Sequence, residues 1–156
     1  MGHVGLDDPL VHELLEAPLI ARIATHNSDQ SIHLVPVWFS WDGESIHIPT
    51  RGDQRKVSNI QADPRVTVLV DDSRQAFDFC GLMVVGYAEL ITGVEARSRN
   101  RRIHLRYVDE VDLALGPVKA ALETDDTTIR VTVRKVIGWD YRHIERERLS
   151  LRERAP

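Results

Sequence analysis

The stretch from residue 32 to residue 41, IHLVPVWFSW, most constrains the fold, because it is apolar on both faces when it is extended as a strand. One face carries Ile32, Leu34, Pro36 and Trp38, and the other carries Val35, Val37, Phe39 and Trp41. In a barrel the inner face fills the core, so the outer face needs a second layer, a partner subunit or a flat aromatic ligand. Pro36 lacks an amide hydrogen and therefore indicates an edge or a bulge, where the backbone can turn toward a ligand.

The residues that follow predict a hairpin and then a helix. Asp42-Gly43 is a strong turn signal, and residues 44–50 are expected to return as the paired strand. We predict a helix over residues 53–62, which ends before Pro64. Arg55 and Lys56 lie in its first turns, where free amide donors and the positive end of the helix dipole favour an anion. This pattern favours a phosphate site, and a solvated, charged helix start is the alternative.

The remaining elements predict a mainly β domain with flanking helices, which we assign to residues 1–142. A capped helix should begin near Pro9 and stop at Pro18, and two further helices should occupy residues 93–124. Other strands are expected at 19–25, 65–70, 82–91 and 128–141, with a loop over 71–79. Residues 143–156 are expected to form a charged C-terminal tail that frays.

Composition excludes several classes of protein. With 42% hydrophobic and 28% charged residues, the chain has the balance of a soluble globular domain. Its net charge of −4 provides no general attraction to nucleic acid or to an anionic membrane. No apolar run approaches the roughly 18 residues of a spanning helix, and no secretory signal is evident, so we expect a cytoplasmic protein.

Few residues suggest metal or thiol chemistry. Cys80 is the single cysteine and is expected to be a buried structural residue. The histidines at 33, 47, 104 and 143 are isolated in sequence, so we predict no metal site, although one histidine could serve as an axial haem ligand. The arginines between Arg97 and Arg106 are either a solvated helix face or a contact for an acidic tail or partner.

Several short motifs occur in a fixed order along the chain: PVWF at 36–39, DG at 42–43, Thr50, RKVSNI at 55–60, DPRV at 63–66 and VDD at 70–72. Their order and spacing resemble the flavin-binding split-barrel family, which includes pyridoxamine phosphate oxidase, flavin and deazaflavin oxidoreductases and a few haem-degrading enzymes. The resemblance implies a six-stranded antiparallel split β-barrel (FMN-binding split barrel) with flanking helices. It also implies a homodimer with cofactor sites at the subunit interface.

The resemblance also implies roles for particular residues. Arg55 and Lys56 would grip the cofactor phosphate, and Thr50 would contact the same group. The strand whose backbone would lie against the flavin ring comprises Val35, Pro36, Val37 and Trp38. The ending GWDYR resembles the W-D-x-R close of related reductases, so Trp139 and Arg142 would reach the cofactor of the partner chain. A terminal aromatic that plugs the barrel end is the alternative for Trp139.

The function expected from these features is that of a flavin-dependent oxidoreductase, which transfers hydride between bound FMN or a deazaflavin and a small organic substrate. The Arg-Lys pair favours FMN, and the WDYR ending favours the deazaflavin coenzyme F420; of the two, we expect FMN. The alternatives are a non-catalytic binding or storage protein for flavin, deazaflavin or haem, and a scaffold that has lost its ligand. No catalytic residue and no substrate can be assigned from the sequence.

Overall fold

The structure is a computed structural model that describes residues 1–154, apart from the side chain of Gln75. The strands are β1 (Gly2–Val4), β2 (Ala21–His26), β3 (Ile32–Val37), β4 (Ser40–Trp41), β5 (Ser45–Thr50), β6 (Arg65–Gln75), β7 (Asp78–Thr92) and β8 (Thr127–Asp140). The helices are α1 (Pro9–Glu16), α2 (Arg55–Ala62), α3 (Gly93–His104), α4 (Gly116–Thr124) and α5 (Arg142–Glu153), with a 3₁₀ turn at Asp112–Ala114. None of these helices is long and apolar enough to cross a membrane.

The strands form one antiparallel sheet in the order β3-β2-β6-β7-β8-β5-β4, and β1 pairs with β8. β3 and β4 lie at opposite ends of this order, yet only Trp38 and Phe39 separate them in the chain. The sheet must therefore curl until its ends approach each other. The mainly β class is confirmed, and the curled sheet is consistent with a split barrel. There are eight described strands rather than six, because β1 and β4 add short pieces of three and two residues.

The core lies inside the curl, with α1 packed across it. The alternation predicted for β2 is confirmed, since Ala21, Ile23 and Thr25 are fully buried. Leu14 and Leu15 of α1 join the same core. Phe39 is fully buried, whereas Ile32 and Leu34 on β3 are 57% and 60% exposed. The two-faced strand therefore places only one of its faces in the core of a single chain.

The local signals at the element ends behave as expected. The carboxylate of Asp8 accepts a hydrogen bond from the Leu10 amide at 2.8 Å, which caps α1. Gly43 has a φ of +98° in the turn between β4 and β5, a conformation that glycine adopts without steric cost. α2 begins at Arg55, two residues later than predicted, with Gln54 at its N-cap.

The structure corrects two predictions. The expected loop over 71–79 is instead the end of β6, a turn and the start of β7. Its polar side chains pair with one another, as in the Arg74–Asp72 ion pair at 2.9 Å, while the backbone continues the ladder. The segment after Arg142, expected to fray, forms α5, in which Arg148 lies over the ring of Phe77 and pairs with Glu145. The last two residues of the predicted tail lie outside the described residues.

Candidate functional site

A cavity of about 540 Å³ opens where the link between β3 and β4 meets the end of β5 and the start of α2. The end of α3 and the last turn of α4 close it from the other side. Its volume lies within the usual range for small-molecule sites. The cavity has a polar end formed by α2 and β5 and an apolar wall formed by β3, so it can hold a ligand with one charged and one flat apolar part.

Lys56 and Thr50 form the centre of the polar end, and Arg51 and Gln54 lie beside them. Burial lowers the pKa of the Lys56 amine, and the nearby carboxylate of Asp125 only partly opposes this effect. Within the described residues, Lys56 makes no salt bridge, whereas Arg51 is paired with a neighbouring carboxylate on Asp53, at 3.1 Å. A partly buried cation without a salt-bridge partner is costly unless an anion joins it. The polar end therefore suits a phosphate.

The apolar wall consists of Pro36, Val37 and Trp38. The indole of Trp38 stacks on the ring of Tyr107, with centroids 4.9 Å apart and planes 3° apart. The Tyr107 hydroxyl lies 2.9 Å from the carbonyl oxygen of Leu19 and accepts a hydrogen bond from the Phe39 amide at 3.1 Å. Burial raises the pKa of Tyr107, which keeps the hydroxyl protonated as a donor. Tyr107 thus fixes the plane of Trp38 and links Phe39, the next residue in the chain, to Leu19, which precedes β2.

His104 and Asp125 lie in the wall between the two ends. His104 is buried, and its ring meets Trp38 edge-on at 5.4 Å. Its Nε2 is 3.0 Å from Oδ2 of Asp125, but the angles are not those of a hydrogen bond, so neither ring nitrogen has a hydrogen-bond partner among the described residues. The Asn100 amide donates to the carbonyl oxygens of Asp125 and Thr127, each at 3.0 Å. This buried contact fixes the position of Asp125 at the cavity.

Five of the nine residues predicted for the cofactor site line this cavity: Pro36, Val37, Trp38, Thr50 and Lys56. Two neighbours of these residues do not line it. The side chain of Val35 packs against the core. Arg55 is exposed on the other side of α2, where its charge contributes to lowering the pKa of Asp29. Successive helical residues are about 100° apart around the axis, so Arg55 and Lys56 point in different directions.

Trp139 and Arg142 line a second cavity, of about 470 Å³, next to β1 and α1. Arg142 is paired with Asp140 at 2.6 Å and with Glu13, and these hydrogen bonds raise its pKa further above its ordinary value. Trp139 packs on Gly81, where a Cβ atom would lie only 2.3 Å from its ring. The single chain does not bring these residues to the first cavity, and their contact with a partner's cofactor stays a prediction.

The structure adds residues that were not predicted for the cofactor site, above all Arg51, Gln54, His104 and Asp125. Arg51 and Gln54 flank the predicted motif, so their proximity along the chain could have identified them. His104 and Asp125 carried no local signal, because they reach Trp38 and Lys56 only through the packing of α3 and α4. Across residues 1–154, no three His, Cys, Asp or Glu side chains are grouped so that they could hold a metal ion.

Known proteins share the fold of this chain. The family model for pyridoxamine 5'-phosphate oxidase matches residues 8–140. The conserved hypothetical protein Rv2991 from Mycobacterium tuberculosis has a similar structure, with a TM-score of 0.73, 23% identity, and coverage of 92% of this chain and 90% of that one. A structure described as an F420 reductase is 27% identical, with a TM-score of 0.65, and the match covers 81% of this chain and 94% of that one.

The fold is also shared with HupZ of Group A Streptococcus, at 15% identity and a TM-score of 0.61, with coverage of 83% of this chain and 93% of that one. No curated protein sequence matches the chain. The family model spans most of the chain, including β3, the β4–β5 hairpin and α2, which form the first cavity. The chain therefore belongs to the pyridoxamine 5'-phosphate oxidase family.

Proposed function

We propose that this protein is a flavin-dependent oxidoreductase that holds FMN, or alternatively coenzyme F420, in the first cavity and acts on a small organic substrate. The observation that carries the proposal is the partly buried amine of Lys56, which has no salt-bridge partner among the described residues and lies beside Thr50 below a flat apolar wall. FMN and coenzyme F420 share a tricyclic ring and a ribityl phosphate. The family supports the flavin assignment, and the similarity to an F420 reductase supports the alternative.

The polar end of the cavity would bind the phosphate. Lys56 supplies the charge, the hydroxyl of Thr50 can donate a hydrogen bond, and the free amides at the start of α2 add further donors. A bound phosphate would also reverse the effect of burial on the Lys56 pKa, because a nearby anion favours the protonated amine. Arg55, which points away, is not needed for this contact.

The apolar wall would hold the ring. Pro36 has no amide hydrogen and lies on the edge strand of the sheet, so the backbone around it has unpaired groups for the polar edge of a ring. Trp38 is kept in one plane by Tyr107 and contributes apolar surface. When bound, the cofactor would supply the hydride chemistry, while these residues hold it in place and limit the access of water.

A second copy of the chain would complete the site. Ile32 and Leu34 expose their side chains on the outer face of β3, the strand that also carries Pro36. Exposed apolar side chains on an edge strand usually mark a binding surface or a risk of aggregation. We propose that this outer face pairs with a partner protomer in a homodimer, which would bring the partner's Trp139 and Arg142 toward the cofactor.

Cofactor titrations test the proposal. Purified wild-type protein is titrated separately with FMN and with coenzyme F420, and the quenching of cofactor fluorescence measures binding. Removing a charged phosphate contact with Lys56→Ala should weaken binding by about 10-fold to 100-fold. The matched control is Arg55→Ala, which removes a neighbouring positive charge from the exposed side of the same helix and should change the affinity by less than about threefold.

The outcomes separate the alternatives. If Lys56→Ala weakens cofactor binding and Arg55→Ala does not, the site is supported. The cofactor that binds more tightly to the wild type is then identified as the ligand. Equal losses in both variants would mean that Arg55 also contacts the phosphate, as the sequence pattern predicts. Tight binding without oxidation or reduction of any small acceptor would favour the storage protein. If neither cofactor binds, the proposed function is wrong.

A further inference from the structure

A β-bulge interrupts the pairing of β7 with β8 on the outer face of the sheet. Val85 pairs with Lys135, but the next residue, Gly86, pairs with Val133, so Arg134 has no partner in the ladder. The bulge also shifts the alternation of β8. Val131 faces the core before it, and Val136 faces the core after it. Bulges of this kind redirect a side chain and are frequent near functional sites.

Glycine is required opposite this bulge. A Cβ atom on residue 86 would lie 2.3 Å from the carbonyl oxygen of Thr132, which is a backbone atom that cannot move aside cheaply. The close approach of the two strands therefore depends on Gly86. Gly86 therefore permits a bulge that determines the direction in which the Arg134 side chain points.

Arg134 borders a cavity of about 290 Å³ that shares no residue with the first cavity. Its other walls include His26, Arg65, Thr67 and Tyr87. The guanidinium of Arg134 lies 5.9 Å from the centre of the Tyr87 ring. The cavity thus combines cationic groups with one flat aromatic surface.

The charges around this cavity are unbalanced. Arg65 is held by Asp63 at 2.6 Å, which offsets its charge. Arg134 makes no salt bridge with any described residue. His26 has its Nδ1 atom 3.5 Å from Oδ2 of Asp63, and this buried atom makes no hydrogen bond within the described part of the chain. The one carboxylate that is paired here therefore offsets the charge of Arg65, and the guanidinium of Arg134 is left without a salt bridge among the described residues.

We propose that this cavity binds the carboxylate or phosphate group of a small anion, with Arg134 as the principal contact. A guanidinium presents paired donors that match the two oxygens of such a group. The ring of Tyr87 is suited to pack against a flat apolar part of the same molecule. The volume admits a compact organic acid but not a flavin. This cavity shares no lining residue with the first cavity, so an anion could bind here whether or not a cofactor occupies the other site.

In the test, ¹⁵N-labelled protein is titrated separately with benzoate, inorganic phosphate and benzamide. The chemical shifts of the backbone amides report binding. Benzoate or phosphate should shift the amides of Thr67, Val85, Gly86 and Tyr87 with saturation, and neutral benzamide should not. Arg134→Gln should lower the affinity for the anion by about 10-fold or more, and Arg134→Lys should restore part of that affinity. The control is Arg130→Gln on the same strand, where Arg130 pairs with Glu89 outside the cavity.

The two anions distinguish the ligand class. Saturation by benzoate alone assigns a carboxylate, and saturation by phosphate alone assigns a phosphate. The proposal is overturned if no amide near Gly86 shifts with saturation, if benzamide binds as tightly as benzoate, or if Arg134→Gln binds the anion unchanged. Shifts confined to the amides around Thr50 and Lys56 would also overturn it, because they would place the anion in the first cavity.

Discussion

The hydroxyl of Tyr107 accepts a hydrogen bond from the amide of Phe39, and it also lies 2.9 Å from the carbonyl oxygen of Leu19. Phe39 belongs to the two-residue link through which the sheet curls back on itself, and Leu19 precedes β2. One side chain therefore joins the two segments that flank the apolar wall of the first cavity. The ring of the same residue fixes the plane of Trp38.

Tyr107→Phe should destabilise the protein by about 1–3 kcal/mol, because it leaves partly buried backbone groups of Leu19 and Phe39 without a partner while it keeps the stacked ring. Urea unfolding followed by circular dichroism measures the change. The control is Tyr141→Phe, since the Tyr141 ring also stacks, on Phe79, but its hydroxyl makes no hydrogen bond within the described chain. Equal effects of the two substitutions would contradict the role assigned to the Tyr107 hydroxyl.

His47 should make stability depend on pH. Its side chain is 1% exposed, and its Nε2 lies 2.7 Å from Oδ2 of Asp42. Burial lowers the pKa of His47 below its ordinary value of 6.5, although Asp42 opposes this, so the folded protein binds fewer protons there than the unfolded chain. The contribution of His47 to the free energy of unfolding should be fully present above about pH 6.5. Below that pH the free energy of unfolding should fall, by at most about 1.4 kcal/mol per pH unit.

His47→Gln should flatten this dependence, and His143→Gln, at an exposed position on α5, should leave it intact. Asp42 should not contribute in this range. Burial raises its pKa, but hydrogen bonds from His47 and from the amides of Ser45 and Glu44 outweigh that effect and lower the pKa to about 2. Urea unfolding at several pH values between 5 and 8 gives the slopes. A wild-type slope that persists in His47→Gln would assign the proton uptake to another group.

Gly86→Ala should destabilise the sheet by about 1–3 kcal/mol, because the new methyl group would collide with the Thr132 carbonyl and force the strands apart at the bulge. Thermal unfolding measures the loss. Gly116→Ala is the control, since a Cβ atom there meets nothing within 4 Å, and it should change stability by less than about 0.5 kcal/mol. If Gly86→Ala were as mild as the control, the bulge could relax without cost.

Leu34→Glu should convert a dimer into a folded monomer, because it places a charge in the centre of the exposed apolar face of β3. Light scattering coupled to size exclusion should give twice the 17.7 kDa chain mass for the wild type and a single chain mass for the variant. Val94→Glu alters another exposed apolar residue, on α3 and 84% exposed, and should remain dimeric. A monomeric wild type would disprove the proposed pairing.

Much of the fold could be predicted because its signals are local. The alternation of β2, the cap of α1 and the Asp42-Gly43 turn each depend on side chains close together in sequence, and the structure contains all three. The polar end of β6 was not predicted because its signal is not local. Its backbone is satisfied by pairing with β7, and a polar sequence does not reveal whether such a partner strand is present.

For the candidate site, the sequence by itself determined the presence of a cationic helix start after a strand that ends in Thr50, and of an apolar strand interrupted by Pro36. The tertiary structure decided that Lys56 rather than Arg55 faces the cavity, and that His104 and Asp125 join it. The physical reason is that short-range patterns specify where a strand or a helix begins and ends in the chain. Which charge becomes buried depends on how helices distant in sequence pack across the curled sheet.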